Sequence, residues 1–557
     1  MHKINLYLPV WFVLSVSFIV FDATARDLLP SIANRTEREE ILRPPEIPSD
    51  EALEQVGAVI GDVAIEIRDI FATDTPEEDA SLFRLANAIH IDTKQSVIAQ
   101  QLLFQSGEKY SRRVLEESER LLRSRSYLMN VRIYPVAYHD GRVDIRVRTR
   151  EVWTLHPGVS FGRSGGANST GVLLEELNLF GYGKQLGVNY KSNVDRKSTV
   201  LDYKDPQLFG SRWTLAAQVG NNSDGEKKFL TIERPFYSLD SRWSAGLRLL
   251  NDRRTDAVYE LGAVRDQYEA KQRSATVYAG LSNGLQDKFV TRWTAGVAYD
   301  EGQFSARQSG FAPASRKLVY PWIGYELIED QYRKLENLNQ IGRTEDLSLG
   351  WRANGLLGIA SPKFGSDQQA LIWNGSFRHS AVPSDNEIVD LTTSISGRAE
   401  NSQWKNTLTS VVGRYYWRQS PRHLFFMHAQ ADIGSRLDAD QRLNLGGDNG
   451  LRGYPLRYQT GSGRWIMTVE ERIFSDWYPF RLLRVGGAVF YDMGRTWGDN
   501  PTGSRSLGML RDAGFGLRFA HSRSGFGNVT HVDFAFPLGA GSDIKKAQIL
   551  VETKRSF

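Results

Sequence analysis

Residues 212–219 read RWTLAAQV, residues 242–249 RWSAGLRL and residues 292–299 RWTAGVAY. Each opens on an Arg-Trp pair and then sets apolar side chains at every second position: Leu215, Ala217 and Val219; Ala245, Leu247 and Leu249; Ala295, Val297 and Tyr299. A period of two is that of a strand whose faces meet different media. One face meets a uniform apolar medium and the other meets water or a plug, and an aromatic at the strand mouth is what a membrane interface selects. A soluble sandwich shows the same alternation. The length of the run, from about Trp153 to Phe557 without persistent helical periodicity, and the repeated Trp favour a transmembrane antiparallel β-barrel. At some 25 residues per strand and connection, about 400 residues predict about 16 strands.

The composition agrees. The 557 residues carry a formal charge of +4, with 13 Trp, 22 Tyr, 27 Phe and no cysteine. Apolar content is too high for a disordered chain, and the weak charge is no signature of nucleic-acid binding. Without thiols, zinc-finger sites, redox cysteines and disulfide scaffolds are excluded.

The chain reads outward from the barrel in three parts. Lys3, the apolar run Leu6 to Phe21 and the small residues Ala23 and Ala25 mark residues 1–25 as a secretory signal peptide, too short in its apolar part for a spanning helix. Residues 26–59 are charged and Pro-rich and read as a linker. In residues 60–153, Val63, Ile65 and Ile67 alternate as a strand, and a helical stretch opens at Pro76 and continues through Leu82, Leu85 and Ile89. A second helix carries Val114, Leu115, Leu121 and Leu122 on one face, with Ser111 as its N-cap. Strands 130–138 and 143–149 then flank the turn His139-Asp140-Gly141. The order is strand, helix, helix, strand, strand, and residues 154–557 are the barrel.

Residues 445–494 carry the most specific signal. The glycine-rich stretch LGGDNGLRGYPLRYQTGSGRW contains Leu451-Arg452-Gly453-Tyr454, and two strands follow, RWIMTVEERIF and VGGAVFYDMGRTW. Parity puts Trp465, Met467 and Val469 on one face of the first strand, with Thr468, Glu470 and Arg472 on the other. In the second, Val489, Tyr491 and Met493 take the apolar side, which turns Asp492 toward the side of Glu470. Two like charges in a lumen are costly unless a cation lies between them. Arg452 can supply it, because guanidinium binds carboxylates bidentately and its loop is flexible.

Residues 451–454 and the following Phe490-Tyr491-Asp492-Met493-Gly494, with GFGLRF (514–519) and HVDFAFPLG (531–539) after them, resemble the BamA/TamA superfamily of outer-membrane insertases and two-partner-secretion transporters. Residues 102–155 resemble a POTRA module, which receives clients by strand addition. The resemblance implies an α+β POTRA-like periplasmic domain before an outer-membrane barrel that opens laterally between its first and last strands. It implies a loop lock of Leu451, Arg452, Gly453 and Tyr454, lumenal partners Glu470, Phe490, Asp492 and Gly494, and a C-terminal barrel signal at Phe557. The implied partners are unfolded outer-membrane or secreted polypeptides, outer-membrane lipids and periplasmic chaperones or accessory proteins. The alternatives are a dedicated two-partner-type secretion pore for one exoprotein, in which segment 34–48 would plug the barrel, and a diffusion porin.

Enzyme readings do poorly. His423 and His428 face opposite sides of a strand with no third ligand nearby, and GRSGG (162–166) departs from the nucleophile elbow. GYGK (181–184) lacks the spacing of a phosphate loop. The expectation is no catalytic site, no cofactor and no metal.

Overall fold

The computed structural model describes residues 44–307, 310–498, 507–525 and 527–554. The signal peptide, most of the charged segment, including 34–43 of the plug reading, and Phe557 lie outside them.

Residues 44–153 form an α+β domain. It comprises α1 (Asp50–Gln55), β1 (Val59–Arg68), α2 (Ser81–Ile89), α3 (Gln95–Ala99), α4 (Arg112–Arg123), β2 (Leu128–His139) and β3 (Arg142–Glu151), with the sheet ordered β1-β3-β2. β1 runs parallel to β3, and β2 pairs antiparallel with β3 through the turn at Asp140 and Gly141, both at positive φ (49° and 73°). The core holds Leu115 and Leu122 of α4 against Val143, Ile145 and Val147 of β3. Ile47, Leu53 and Ala58, which fall in the stretch read as linker, are buried in the same core. Ser111 stands at the α4 N-cap, but its side chain makes no capping bond. The free amide of Arg112 is received instead by Glu54 Oε1 of α1 at 2.8 Å, so a tertiary carboxylate replaces the local cap.

The rest is a closed antiparallel barrel of 20 strands, not about 16. The excess comes from the first six: β4 (Leu155–Ser164), β5 (Ala167–Glu176), β6 (Gln185–Ser192), β7 (Lys197–Asp205), β8 (Thr214–Asn222) and β9 (Gly225–Arg234). They have only 8 to 10 residues each, joined by short connections. Then come β10 (Trp243–Glu260), β11 (Ala263–Gln286), β12 (Phe289–Ala306) and β13 (Arg316–Glu329). β14 (Tyr332–Glu336) and β15 (Thr344–Ser348) make a separate hairpin outside the barrel ladder. The barrel resumes with β16 (Gly350–Ala360), β17 (Ala370–Ser384), β18 (Glu387–Glu400), β19 (Gln403–Ser420) and β20 (His423–Ser435). A long loop containing β21 (Leu443–Leu445) and β22 (Gln459–Gly461) precedes β23 (Gly463–Phe474), β24 (Leu483–Trp497), β25 (Leu510–His521), β26 (Val529–Pro537) and β27 (Gln548–Lys554).

Strands alternate in direction, so the connections after β5, β7, β9 and every second strand beyond lie at the mouth that carries the N-terminal domain. The Trp-first motifs all sit there. Trp213 precedes β8, Trp243 opens β10 and Trp293 lies near the start of β12, forming one rim of an aromatic girdle. The arginines before them hold that rim: Arg212 Nη2 donates to Leu102 O of the domain at 2.8 Å, and Arg292 Nη2 donates to Ser238 O at 3.0 Å.

Among the described residues, β27 meets β4 in register at Val551 and Arg163 alone, whereas β11 and β12 match from Tyr268↔Ala306 to Gln286↔Phe289. Few ladder bonds mean a low opening energy. In the folded protein, amides of β4 and β27 are expected to exchange with deuterium faster than those of β11 and β12, read by mass spectrometry.

Candidate functional site: a buried arginine lock and a lumenal hairpin

The loop between β20 and β23 folds back into the lumen and buries its tip. Arg452 is 7 % exposed and Asp492 is fully buried. Arg452 Nε and Nη2 donate to Asp492 Oδ2 and Oδ1 at 2.7 and 2.9 Å, the bidentate geometry that guanidinium favours. Nη1 donates to Glu470 Oε1 at 2.9 Å, and the guanidinium lies 3.3 Å from the ring centre of Phe490. Across β23 and β24, Glu470 pairs with Phe490 and Thr468 with Asp492, so Glu470 and Asp492 share a face.

The neighbouring motif residues hold the loop in place. Tyr454 is buried, and its hydroxyl donates to Arg511 O at 3.1 Å while accepting from Arg511 N at 3.2 Å at the start of β25. Leu451 packs with Leu445, Tyr454, Tyr458 and Ile466. A Cβ on Gly453 would come 2.7 Å from the Asp512 Cβ, and one on Gly494 would come 2.7 Å from Trp465 O, so both positions need a bare backbone. The loop also reaches the first hairpin, because Ser164 Oγ donates to Gly447 O at 2.6 Å. It is tied further round by Arg457, whose Nη1 and Nη2 donate to Asp195 at 2.8 Å each.

Sequence reading found two carboxylates where the lumen holds more. Asp533 Oδ2 accepts from Arg452 at 3.4 Å, Arg518 pairs with Asp533, and buried Asp512 stands opposite Asp492 across β24 and β25. Period-two counting back from Arg518 reaches Asp512, and counting on from His531 reaches Asp533, so the signal lay in GFGLRF and HVDFAFPLG. Arg472, read only for its parity, donates through Nε to Glu470 Oε2 at 3.0 Å.

The hairpin β14–β15 was not legible as a feature. It starts from the domain-side mouth and turns into the lumen, where Leu338 and Ile341 pack with Ile388, Tyr416, Phe426 and Phe474 on the barrel wall. Arg472 Nη1 donates to Leu338 O at 3.0 Å, which joins the hairpin tip to the lock through one side chain. At its base, α4 of the N-terminal domain grips it. Arg123 Nε and Nη2 donate to Asp346 at 2.8 and 2.7 Å, Lys334 Nζ donates to Glu119 Oε1 at 2.6 Å, and the Arg120 guanidinium lies 4.1 Å from the Tyr332 ring centre. A continuous set of polar contacts thus runs from α4 through the hairpin and Arg472 to Glu470 and Arg452.

An Omp85 superfamily domain model matches residues 178–551. The chain belongs to the Omp85 superfamily. Similar solved structures include BamA from Haemophilus ducreyi lacking POTRA domains 1-3, with 14 % identity, covering 89 % of this chain and 85 % of that one, at a TM-score of 0.39. CdiB from Acinetobacter baumannii has 12 % identity over 90 % of this chain and 74 % of that one, at a TM-score of 0.45. CdiB from Escherichia coli has 14 % identity, with coverages of 90 % and 77 % and a TM-score of 0.46. No curated protein matches the sequence. As a large Omp85 β-barrel, the protein is of the outer membrane and of the insertase or transporter kind.

Removing one partner from a buried ion cluster costs about 3–5 kcal/mol, because the remaining charges are stranded. Omp85 loop geometry here predicts that Arg452→Ala frees residues 436–462 to external protease, while the barrel ladder survives as unchanged heat-modifiable mobility in gels. The hairpin clamp has a pH signature. Burial raises the Glu119 carboxyl, but Arg123 and Lys334 outweigh it and hold the group below its ordinary value. A depressed carboxylate stabilises the clamp above its unfolded pKa and loses that contribution as pH falls through the folded one. Hydrogen exchange in residues 332–348 should therefore accelerate only below the ordinary carboxylate range, and Glu119→Gln should make it fast at neutral pH.

Proposed function

We propose that the protein inserts or translocates unfolded polypeptides through a laterally opening barrel, with the 44–153 domain in the periplasm as a POTRA-like client-receiving module. The observation that carries this reading is the β27–β4 seam, which has one register pair among the described residues and is pinned at its far end by the loop that the Arg452 lock anchors. Opening the seam exposes unpaired backbone on two strands, and such an edge recruits an extended chain by strand addition. The lock organises the lumen and keeps the seam shut between events. No step in this cycle calls for a catalytic side chain or a cofactor; opening is a redistribution among hydrogen bonds.

The hairpin argues against a diffusion porin. Its tip lies within the lumen, packed against β18, β19, β20 and β23, so a solute moving along the axis meets it. A polypeptide docking on α4 could shift the hairpin base and, through Arg472, loosen the lock.

The test is depletion in the native cell with quantification of outer-membrane and secreted proteins, and rescue by wild type or Arg452→Ala. Broad loss of barrel proteins, restored only by wild type, is the expected outcome for an insertase, and loss of a single secreted protein narrows the role to a dedicated pore. No change in either fraction contradicts the proposal.

A further inference from the structure

Helix α2 has its apolar side on the wrong face for a core. Phe83 turns inward and stacks on Phe71 with ring centres 4.2 Å apart, and Asn87 exchanges hydrogen bonds with the Phe71 backbone at 3.1 and 2.9 Å. The opposite face carries Leu82, Leu85 and Ile89, exposed by 66, 56 and 60 %. None of the nine α2 residues is buried. The spacing 82, 85, 89 is that of one helical stripe, which in a water-facing module would be covered.

The place of the helix says what covers it. Before α2, Glu78 pairs with Arg523, in the connection between β25 and β26. After it, Thr93 Oγ1 accepts from Asn178 Nδ2 at 2.9 Å and Lys94 N donates to Gly181 O at 3.0 Å, in the connection between β5 and β6. The β25–β26 connection itself reaches across to β4, because Trp153 N donates to Arg523 O at 2.8 Å and Gly525 N donates to Trp153 O at 3.2 Å. Helix α2 is therefore held at both ends near the feet of β4, β5 and β6, on the β4 side of the seam. At the same rim, Phe180, Tyr182 and Leu155 are exposed and continue the lipid-facing belt of β4 and β5. The Lys94 ammonium lies 3.5 Å from the Tyr182 ring centre, a cation and an aromatic together at the level where headgroups begin.

We propose that α2 is an interfacial helix whose Leu82, Leu85 and Ile89 face is immersed in the phospholipid leaflet on the domain side, beside the foot of β4. The occupant is lipid, because the face continues the surface that the barrel itself presents to acyl chains. It puts a protein wedge in place of bulk lipid beside the strands that would part. The claim needs only a barrel in a bilayer and so stands apart from the transport reading.

The chain has no cysteine, so single labels are unambiguous. Full-length Leu82→Cys, Leu85→Cys, Ile89→Cys and, as the polar-face control, Arg84→Cys would each carry an environment-sensitive fluorophore. After reconstitution in phosphatidylethanolamine–phosphatidylglycerol vesicles, with heat-modifiable mobility confirming a folded barrel, brominated phospholipid is added to the composition. For a face lying 5–10 Å into the headgroup and acyl boundary, emission at the three apolar positions should fall roughly two-fold or more, with Arg84→Cys little changed. Equal quenching at all four positions overturns the oriented stripe. Emission insensitive to brominated lipid at Leu82, Leu85 and Ile89 overturns the lipid assignment, including the case in which an added unfolded polypeptide shields them instead.

Discussion

A positive charge buried among carboxylates sets the terms for the rest of this barrel. Arg452 leaves water only because Asp492, Glu470 and Asp533 receive it, and those carboxylates can be buried on β23, β24 and β26 only because Arg452, Arg472 and Arg518 stand among them. Neither half is tolerable alone in a low-dielectric lumen. The loop must therefore fold inward, and its glycines follow from that demand, since Gly453 passes against Asp512 with no room for a side chain. Such a cluster is weak as a source of net stability and strong as a specifier of one arrangement.

Around that cluster the molecule divides its hydrogen bonding unevenly. Long ladders such as β10–β11 and β11–β12 make one side of the wall rigid, while the seam has a single register pair among the described residues. The lock loop touches the wall on both sides of that seam, at Ser164 and at Arg511. The β14–β15 hairpin carries the connection to the opposite mouth, where α4 holds its base through Arg123 and Glu119. Coupling of the domain to the seam has a continuous physical route, with each link a charged or backbone hydrogen bond that can be broken singly.

Much of this was legible in the sequence because period-two patterns survive in a barrel wall. The Arg-Trp starts located β8, β10 and β12, and parity alone put Glu470 and Asp492 on one face. Strand number was not legible, since β4 to β9 use far fewer residues per strand than the longer hairpins after them. Asp512 and Asp533 were within reach of the same parity rule. The hairpin was not, because Leu338 and Ile341 find their partners on strands up to 191 residues further along the chain. The α2 pattern was visible as helical spacing, but spacing cannot distinguish a face turned to a core from one turned to lipid. Ser111 stands at the cap position read for it, but the acceptor for Arg112 comes from Glu54 on another helix, a tertiary partner that local spacing does not reveal.

The central claim is that β4 and β27 separate while the rest of the wall stays closed. In the cysteine-free chain, Arg163→Cys with Val551→Cys places two thiols across a registered pair of the seam, within the Cα separation a disulfide spans. Rescue of a depleted cell by this variant, compared under oxidising and reducing conditions, is the direct measurement. The account predicts that the oxidised seam fails to restore client levels and that reduction restores them to those of wild type. Full rescue with the disulfide demonstrably formed would contradict it.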